Sequence, residues 1–331
     1  MTASRSGYRS SSMRIDDEGI HLPPELRDPL MLQLAGRPVW AIAPERDGHP
    51  TADGDRLVPW PLMLTPHLDG EADAVLRVIA TGQVLLETHV RLGGGVGGID
   101  PRDGKGRPLS IDKNQHVTMM FADVDDDVRG ALVDATAQAL AFLQERGHDA
   151  FLAYGNLLGA VRDGRLIGHD TDADVAFLAK SRHPVGVVLE SMAIERAFVA
   201  AGWRSHRLSP GTFKLFPRLG DGPRTGLDVF AAFYFDGLFH MMPCVGASLP
   251  RQALLPVSTV TLEGRPLPAP ADPEAVLEAT YGPQWRVPDP AFRYDTPRWL
   301  RRRLRGLMRG ERKHEPYWQA FYATAAPRVP A

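Results

Sequence analysis

The spacing of apolar residues changes character along the chain. From roughly residue 37 to 121 they come in short runs, Pro38-Val39-Trp40-Ala41-Ile42, Ala74-Val75-Leu76-Arg77-Val78-Ile79, Val84-Leu85-Leu86-Glu87-Thr88-His89-Val90 and His116-Val117-Thr118-Met119-Met120-Phe121. Gly, Pro and Asp clusters separate them, a pattern that predicts strands, with Thr81-Gly82 as a hairpin turn between the second and third. Residues 21–122 are therefore expected to form a β-rich module. Residues 1–20, polar and small, are expected to be a disordered tail. Beyond an acidic stretch at 123–127 the period lengthens to that of a helix, through Val128, Leu132, Val133, Leu140 and Leu143, and Gly147 marks its end. Acids favour the positive end of the helix dipole, so that stretch predicts a helix start and not a metal cluster. Next come an apolar run at 150–154, a short helix near 157–163, a strand carrying Asp172 and Asp174, a helix over 185–201, and strands at 212–216 and 227–233.

Composition narrows the class. The chain has 331 residues, 44% of them hydrophobic, enough for one large or two ordinary globular domains. A formal charge of -2 gives no general attraction to nucleic acid, and none is expected as a partner. The charge is uneven, however: between Arg298 and Lys313 eight basic residues face one acid, Glu311. Trp299, Leu300, Leu304, Leu307 and Met308 fall at helical spacing there, so residues 296–331 are expected to be a basic amphipathic segment. It either docks by its apolar stripe or touches anionic lipid or a polyanionic glycan, and the second reading places the protein peripherally at the inner membrane face. The single cysteine, Cys244, rules out an internal disulfide and multi-cysteine zinc. The N-terminus lacks the apolar core of a secretory signal, and no run of about 18 apolar residues occurs, so a cytoplasmic protein is expected.

The chemistry concentrates between residues 155 and 228. On a strand, Asp172 and Asp174 point to one face and can converge on a divalent cation. Mg²⁺ is typically held by one or two carboxylates, waters and substrate phosphates, which matches this supply. Asp228 lies inside an apolar strand, where a charge is costly unless paired or bound to metal, and offers a third carboxylate. The amides of Gly155 and Asn156, at the start of a short helix, could receive an anion. Lys214 and Arg162 could grip phosphate, or, more plainly, Lys214 snorkels at a sheet edge and Arg162 pairs with Asp163 or Asp170. Asp170 could orient a ligand residue or simply shape a turn. The glycines at 93–98 lack the Gly-Lys-Ser/Thr ending of a phosphate loop and read as a connection between strands. Trp40, Trp60 and Trp203 read as core before sugar platforms, and Cys244 as packing.

The segment Gly155-Asn156-Leu157-Leu158-Gly159-Ala160-Val161-Arg162, followed by Leu166-Ile167 and His169-Asp170-Thr171-Asp172-Ala173-Asp174-Val175, resembles the signature of the LicD/fukutin family within the nucleotidyltransferase-fold superfamily. Tyr281-Gly282-Pro283-Gln284-Trp285 with Pro288 is similar to that family's closing motif. The resemblance covers about residues 128–290. Asn156 stands where the family commonly has Thr or Ser, and His169-Asp170-Thr171-Asp172 replaces Trp-Asp-Asp-Asp. Asn retains the capacity to hydrogen-bond phosphate.

The resemblance implies an α+β catalytic domain over 123–295, a nucleotidyltransferase-like mixed sheet with helices, following the β-rich N-terminal module. Asp172, Asp174 and Asp228 would hold Mg²⁺ or Mn²⁺ and carry catalysis. Gly155, Asn156, Arg162, Lys214 and Asp170 would bind a nucleotide-activated donor. The implied reaction moves a phospho-alcohol, of phosphocholine or polyol phosphate type, from a CDP-activated donor to a glycan or lipid-linked glycan hydroxyl. The same carboxylates would equally serve transfer of a nucleoside monophosphate from an NTP to a small hydroxyl compound, and a catalytically idle glycan-binding protein is the third reading.

Overall fold

A computed structural model describes residues 13–112, 117–118, 121, 125–217, 226–294 and 296–307. The chain forms two compact units, one of residues 1–123 with 287–293, the other of 124–286 with 294–331.

The first unit is almost entirely β. Strands β1 (Arg14–Asp16), β2 (Gly19–Leu22), β3 (Leu30–Leu34) and β4 (Arg37–Ile42) precede a short helix, α1 (Pro44–Asp47); β5 (His49–Pro50), β6 (Arg56–Pro59), β7 (Gly70–Val78), β8 (Val84–Leu92), β9 (Ser110–Ile111) and β10 (Val117–Thr118) follow. They form a four-stranded sheet in the order β1-β2-β6-β5 and a six-stranded sheet in the order β10-β9-β4-β3-β7-β8. The alternation in β7 is the cause of its placement: Ala72, Ala74, Leu76 and Val78 are buried while their neighbours are more open. The core gathers Ile20, Leu22, Leu30, Leu32, Leu34 and the tilted pair Trp40 and Trp60, 6.2 Å apart. Both tryptophans are therefore packing. Residues 13–20, expected to belong to the disordered tail, instead supply β1 and part of β2, because Ile20 and Leu22 fill this core; residues 1–12 lie outside the described residues. Of the strand expected at 116–121, the described residues are β10 and the buried Phe121, which lies outside any strand. The glycine loop at 93–95 is clasped by Asp69, whose carboxylate accepts from the amides of Gly94 at 3.0 Å and Gly95 at 2.7 Å. Those are the donors a phosphate would need.

The second unit is α+β. Helix α2 (Asp126–Glu145) opens on the expected aspartates and buries Leu132, Val133, Ala139, Leu140 and Leu143, each leucine contributing about 1.5–3 kcal/mol. Gly147, at φ +74°, then reverses the chain. After it come β11 (Asp149–Leu152), α3 (Tyr154–Arg162), β12 (Ala173–Leu178), α4 (Pro184–Ala200), β13 (Arg204–Ser209), β14 (Thr212–Phe216), β15 (Leu227–Phe235), β16 (Leu238–Met241), β17 (Val245–Ala247), the hairpin β18 (Ser258–Leu262) and β19 (Arg265–Ala269), α5 (Pro273–Tyr281) and α6 (Arg298–Arg303). The main sheet has the order β11-β12-β15-β14-β13, with β16 and β17 added beside β15. It is mixed: β12 and β15 run parallel, the other pairs antiparallel. β12 is buried throughout, as a central strand covered on both faces requires. Among the described residues no helix is long and apolar enough to cross a membrane.

Candidate active site

One row of side chains crosses the middle of this sheet. Asp174 on β12 stands opposite Asp228 on β15, Asp228 opposite Lys214 on β14, and Lys214 opposite His206 on β13. Paired residues on adjacent strands share a face, so two carboxylates, an ammonium and an imidazole leave the sheet on one side. Asp172 lies one residue ahead of β12 and not within it. It still meets the row: Lys214 Nζ is 2.8 Å from Asp172 Oδ2 and 3.0 Å from Asp228 Oδ1. Lys214 thus neither snorkels nor stands free for phosphate; it bridges two of the three expected metal ligands.

The electrostatics of the row are unbalanced. Burial raises the Asp228 carboxyl to about 7; Lys214 works against that rise and the neighbouring Asp172 adds to it. Burial acts to discharge Lys214, but Asp172 and Asp228 together hold it above its ordinary value, so it remains an ammonium. The Lys214–Asp228 contact is an ion pair outside hydrogen-bond geometry, and the buried Asp228 Oδ1 has no aligned donor among the described residues.

Helix α3 closes one side of the cluster. Its expected start at 157 moves back to Tyr154, which takes φ +40°. Gly155 is consequently buried in the first turn, and its amide donates to Asp174 Oδ2 at 3.0 Å. The expectation of an exposed Gly155 amide for an anion is therefore not met: Asp174 occupies that donor. Gly155 also explains itself sterically, because a Cβ there would lie 2.0 Å from Asp170 Oδ2 and 3.3 Å from Asp174 Oδ2. Asp170 is thus folded over the helix start beside Asp174. Asn156 follows, 1% exposed, with no acceptor for its Nδ2 among the described residues. Arg162 is at the other end of α3, about 10 Å along the axis, and pairs with Asp163 at 2.8 Å. The structure does not bring it to the cluster.

Sequence reasoning missed a buried tyrosine group behind Asp174. Tyr154 Oη donates to the carbonyl oxygens of Met241 at 3.1 Å and Met242 at 2.5 Å, and its ring meets Phe230 and Tyr294 edge-on. Tyr294 Oη donates to Tyr281 Oη at 2.8 Å, and Cys244 Sγ lies 3.7 Å from Tyr154 Oη. Burial pushes the hydroxyls of Tyr154 and Tyr294 well up, so both stay protonated donors. The tyrosine at 281 in the closing motif was the one available signal. These contacts fix the start of α3, and with it the Gly155 amide on Asp174.

Residues 147–272 match the family model described as LicD/FKTN/FKRP, nucleotidyltransferase domain. That segment matches the LicD family. Every member of the cluster, from Gly155 through Asp170, Asp172, Asp174 and Lys214 to Asp228, falls within the LicD match, whereas the tyrosines at 281 and 294 lie beyond it. No curated protein matches the chain. Among solved structures, the crystal structure of ANT(2")-Ia in complex with adenylyl-2"-tobramycin is similar at 18% identity over 59% of this chain and 98% of that one, with a TM-score of 0.31. The solution structure of antibiotic-resistance factor ANT(2")-Ia gives 16%, 60%, 98% and 0.31.

The cluster fits a hard divalent cation. Its donors are carboxylate oxygens, and burial, with Asp172 adding to it, raises Asp228, a rise that a bound cation would offset. The oxygens of Asp172, Asp174 and Asp228 are not drawn as close together as those of a second group, Asp16, Glu18 and His21 of the first unit, whose ligand atoms lie within 4.8 Å of one another. That second group is a turn clasp: Asp16 Oδ1 accepts from the amides of Glu18 at 3.0 Å and Gly19 at 3.3 Å, and His21 Nε2 is 3.0 Å from Asp16 Oδ2.

Proposed function

We propose that the protein transfers a phospho-alcohol from a CDP-activated donor to a glycan or lipid-linked glycan hydroxyl, with Mg²⁺ or Mn²⁺ held by Asp172, Asp174 and Asp228. The observation that carries this reading is the carboxylate row itself, in which burial raises Asp228 to about 7 and Lys214 bridges it to Asp172. Carboxylates gathered on one face of a sheet suit the cations with which a diphosphate donor arrives. The bound cation would neutralise charge on the transferring phosphoryl group.

The chain's own groups have separate tasks in this reading. Lys214 keeps Asp172 and Asp228 in position and remains charged beside the phosphates. Asn156 Nδ2, a buried donor with no acceptor of its own, offers a hydrogen bond to a phosphate oxygen. Gly155 and Asp170 set the orientation of Asp174. The acceptor oxygen forms a bond to the phosphorus bearing the alcohol, the bond from that phosphorus to the CMP oxygen breaks, and the acceptor proton passes to base.

Incubation with a metal salt, CDP-alcohols or NTPs, and a panel of glycans tests the reading. CMP release that needs an acceptor and is lost in Asp172→Asn supports it. Pyrophosphate release from an NTP would replace it with a nucleotidyl transfer. Glycan binding with no turnover of any donor would leave a binding protein.

A further inference from the structure

Helix α6 and the turns after it bury Leu300, Leu304 and Leu307, each at 1% exposure or less. The apolar stripe of the basic segment is therefore docked within its own unit, as the plainer of its two readings expected. Docking leaves Arg298, Trp299, Arg301, Arg302 and Arg305 exposed, and no acid occurs between residues 297 and 307. Arg303 is turned away from this fringe, paired with Asp236 and 5.4 Å from the ring centre of Phe235. The platform sits tightly on β17, because a Cβ at Gly246 would come within 2.8 Å of Leu300 and 3.0 Å of the Trp299 ring. Trp299 is nevertheless 45% exposed.

A fringe of arginines is ordinarily a solvated surface. Here it surrounds an indole that the fold holds at the surface, and residues 297–307 contribute no acid to it, Asp236 being taken up by Arg303. Indoles partition to the boundary between lipid headgroups and acyl chains, and guanidinium groups pair with phosphates in forked geometry. Clusters of basic residues also accumulate at anionic leaflets. We propose that α6 is a docking face for an anionic lipid surface, with Trp299 entering the headgroup layer and Arg298, Arg302 and Arg305 pairing with lipid phosphates. A soluble polyanion would use the charges alone; the exposed indole is what favours a membrane. This inference stands independently of the transferase reading.

Co-sedimentation of the whole chain with phosphatidylcholine vesicles, with and without phosphatidylserine, tests it. Binding is expected on the anionic vesicles alone, falling as salt rises. Each Arg→Gln change at Arg298 or Arg302 should weaken it about fivefold. Trp299→Ala should weaken it at every salt concentration, and Trp299→Phe, which keeps a ring against β17, less so. Equal binding to neutral vesicles, or no binding at low salt, would overturn the proposal. So would an unchanged Trp299→Ala variant combined with equal capture by a soluble polyanion of the same charge density. The salt and lipid comparisons use the natural chain, so they hold even if a variant folds poorly.

Discussion

The two acidic groups of this protein use similar residues in opposite ways. In the first unit, Asp16 is half exposed, and burial, which would raise its carboxyl, is outweighed by the Glu18 amide, His21 and Arg14, so it lies below its ordinary value. In the second, Asp228 is buried, shares one lysine with Asp172 and is raised to about 7. A carboxylate whose oxygens all find donors holds a turn together. One buried beside another carboxylate keeps a raised value that a bound cation would lower. Tight clustering alone would favour the Asp16 set, the more compact of the two.

The largest effect expected is at Lys214. Lys214→Met leaves the buried Asp228 carboxylate facing the half-buried Asp172 and should cost about 3 kcal/mol at neutral pH in denaturant unfolding, with part of the loss restored by Mg²⁺. If the variant is as stable as the natural chain, the row is not under electrostatic load. Asp228 gives the matching pH dependence. Its folded value is raised, so the native state keeps a proton the unfolded chain has released, and stability without divalent metal should fall as pH rises from 3.8 to about 7. Asp16 should act oppositely, with its contribution present above 3.8 and lost as pH drops below it.

Gly155→Ala comes next. The added methyl displaces Asp170 and disturbs Asp174, and should lower turnover or metal affinity about 10–100-fold with a smaller change in stability. Asp16→Ala should cost about 1 kcal/mol of stability, the modest figure reflecting its exposure, and leave metal binding alone. Arg162→Ala should be smallest, about 0.5 kcal/mol or less in stability and no measurable change in turnover, because its partner is Asp163 at the far end of α3.

Much of the second unit was legible because its signals are local. The aspartates before α2, Gly147 after it and the Asp172-x-Asp174 spacing each act within a few residues. A lone aspartate in the apolar run of β15 likewise announced itself through the cost of burying charge. What escaped depends on partners far apart in sequence. β1 and β2 are short and carry Arg14, Asp16 and His21, so their order comes from Ile20 and Leu22 packing in a core assembled from elsewhere. β13, Arg-Ser-His-Arg-Leu-Ser, has no apolar alternation and exists by pairing with β14. The start of α3 was misplaced because Tyr154 adopts a left-handed backbone that its hydroxyl, bonded to Met241 and Met242, makes tolerable. From that shift follows the fate of the Gly155 amide, which no spacing rule could assign.

Calorimetric titration of Mn²⁺ into the natural chain, Asp228→Asn and Asp16→Asn at neutral pH tests the central claim most directly. Saturable binding in the natural chain and in Asp16→Asn, abolished in Asp228→Asn, is the expected result. Binding that survives in Asp228→Asn but disappears in Asp16→Asn would contradict it and move the metal to the first unit.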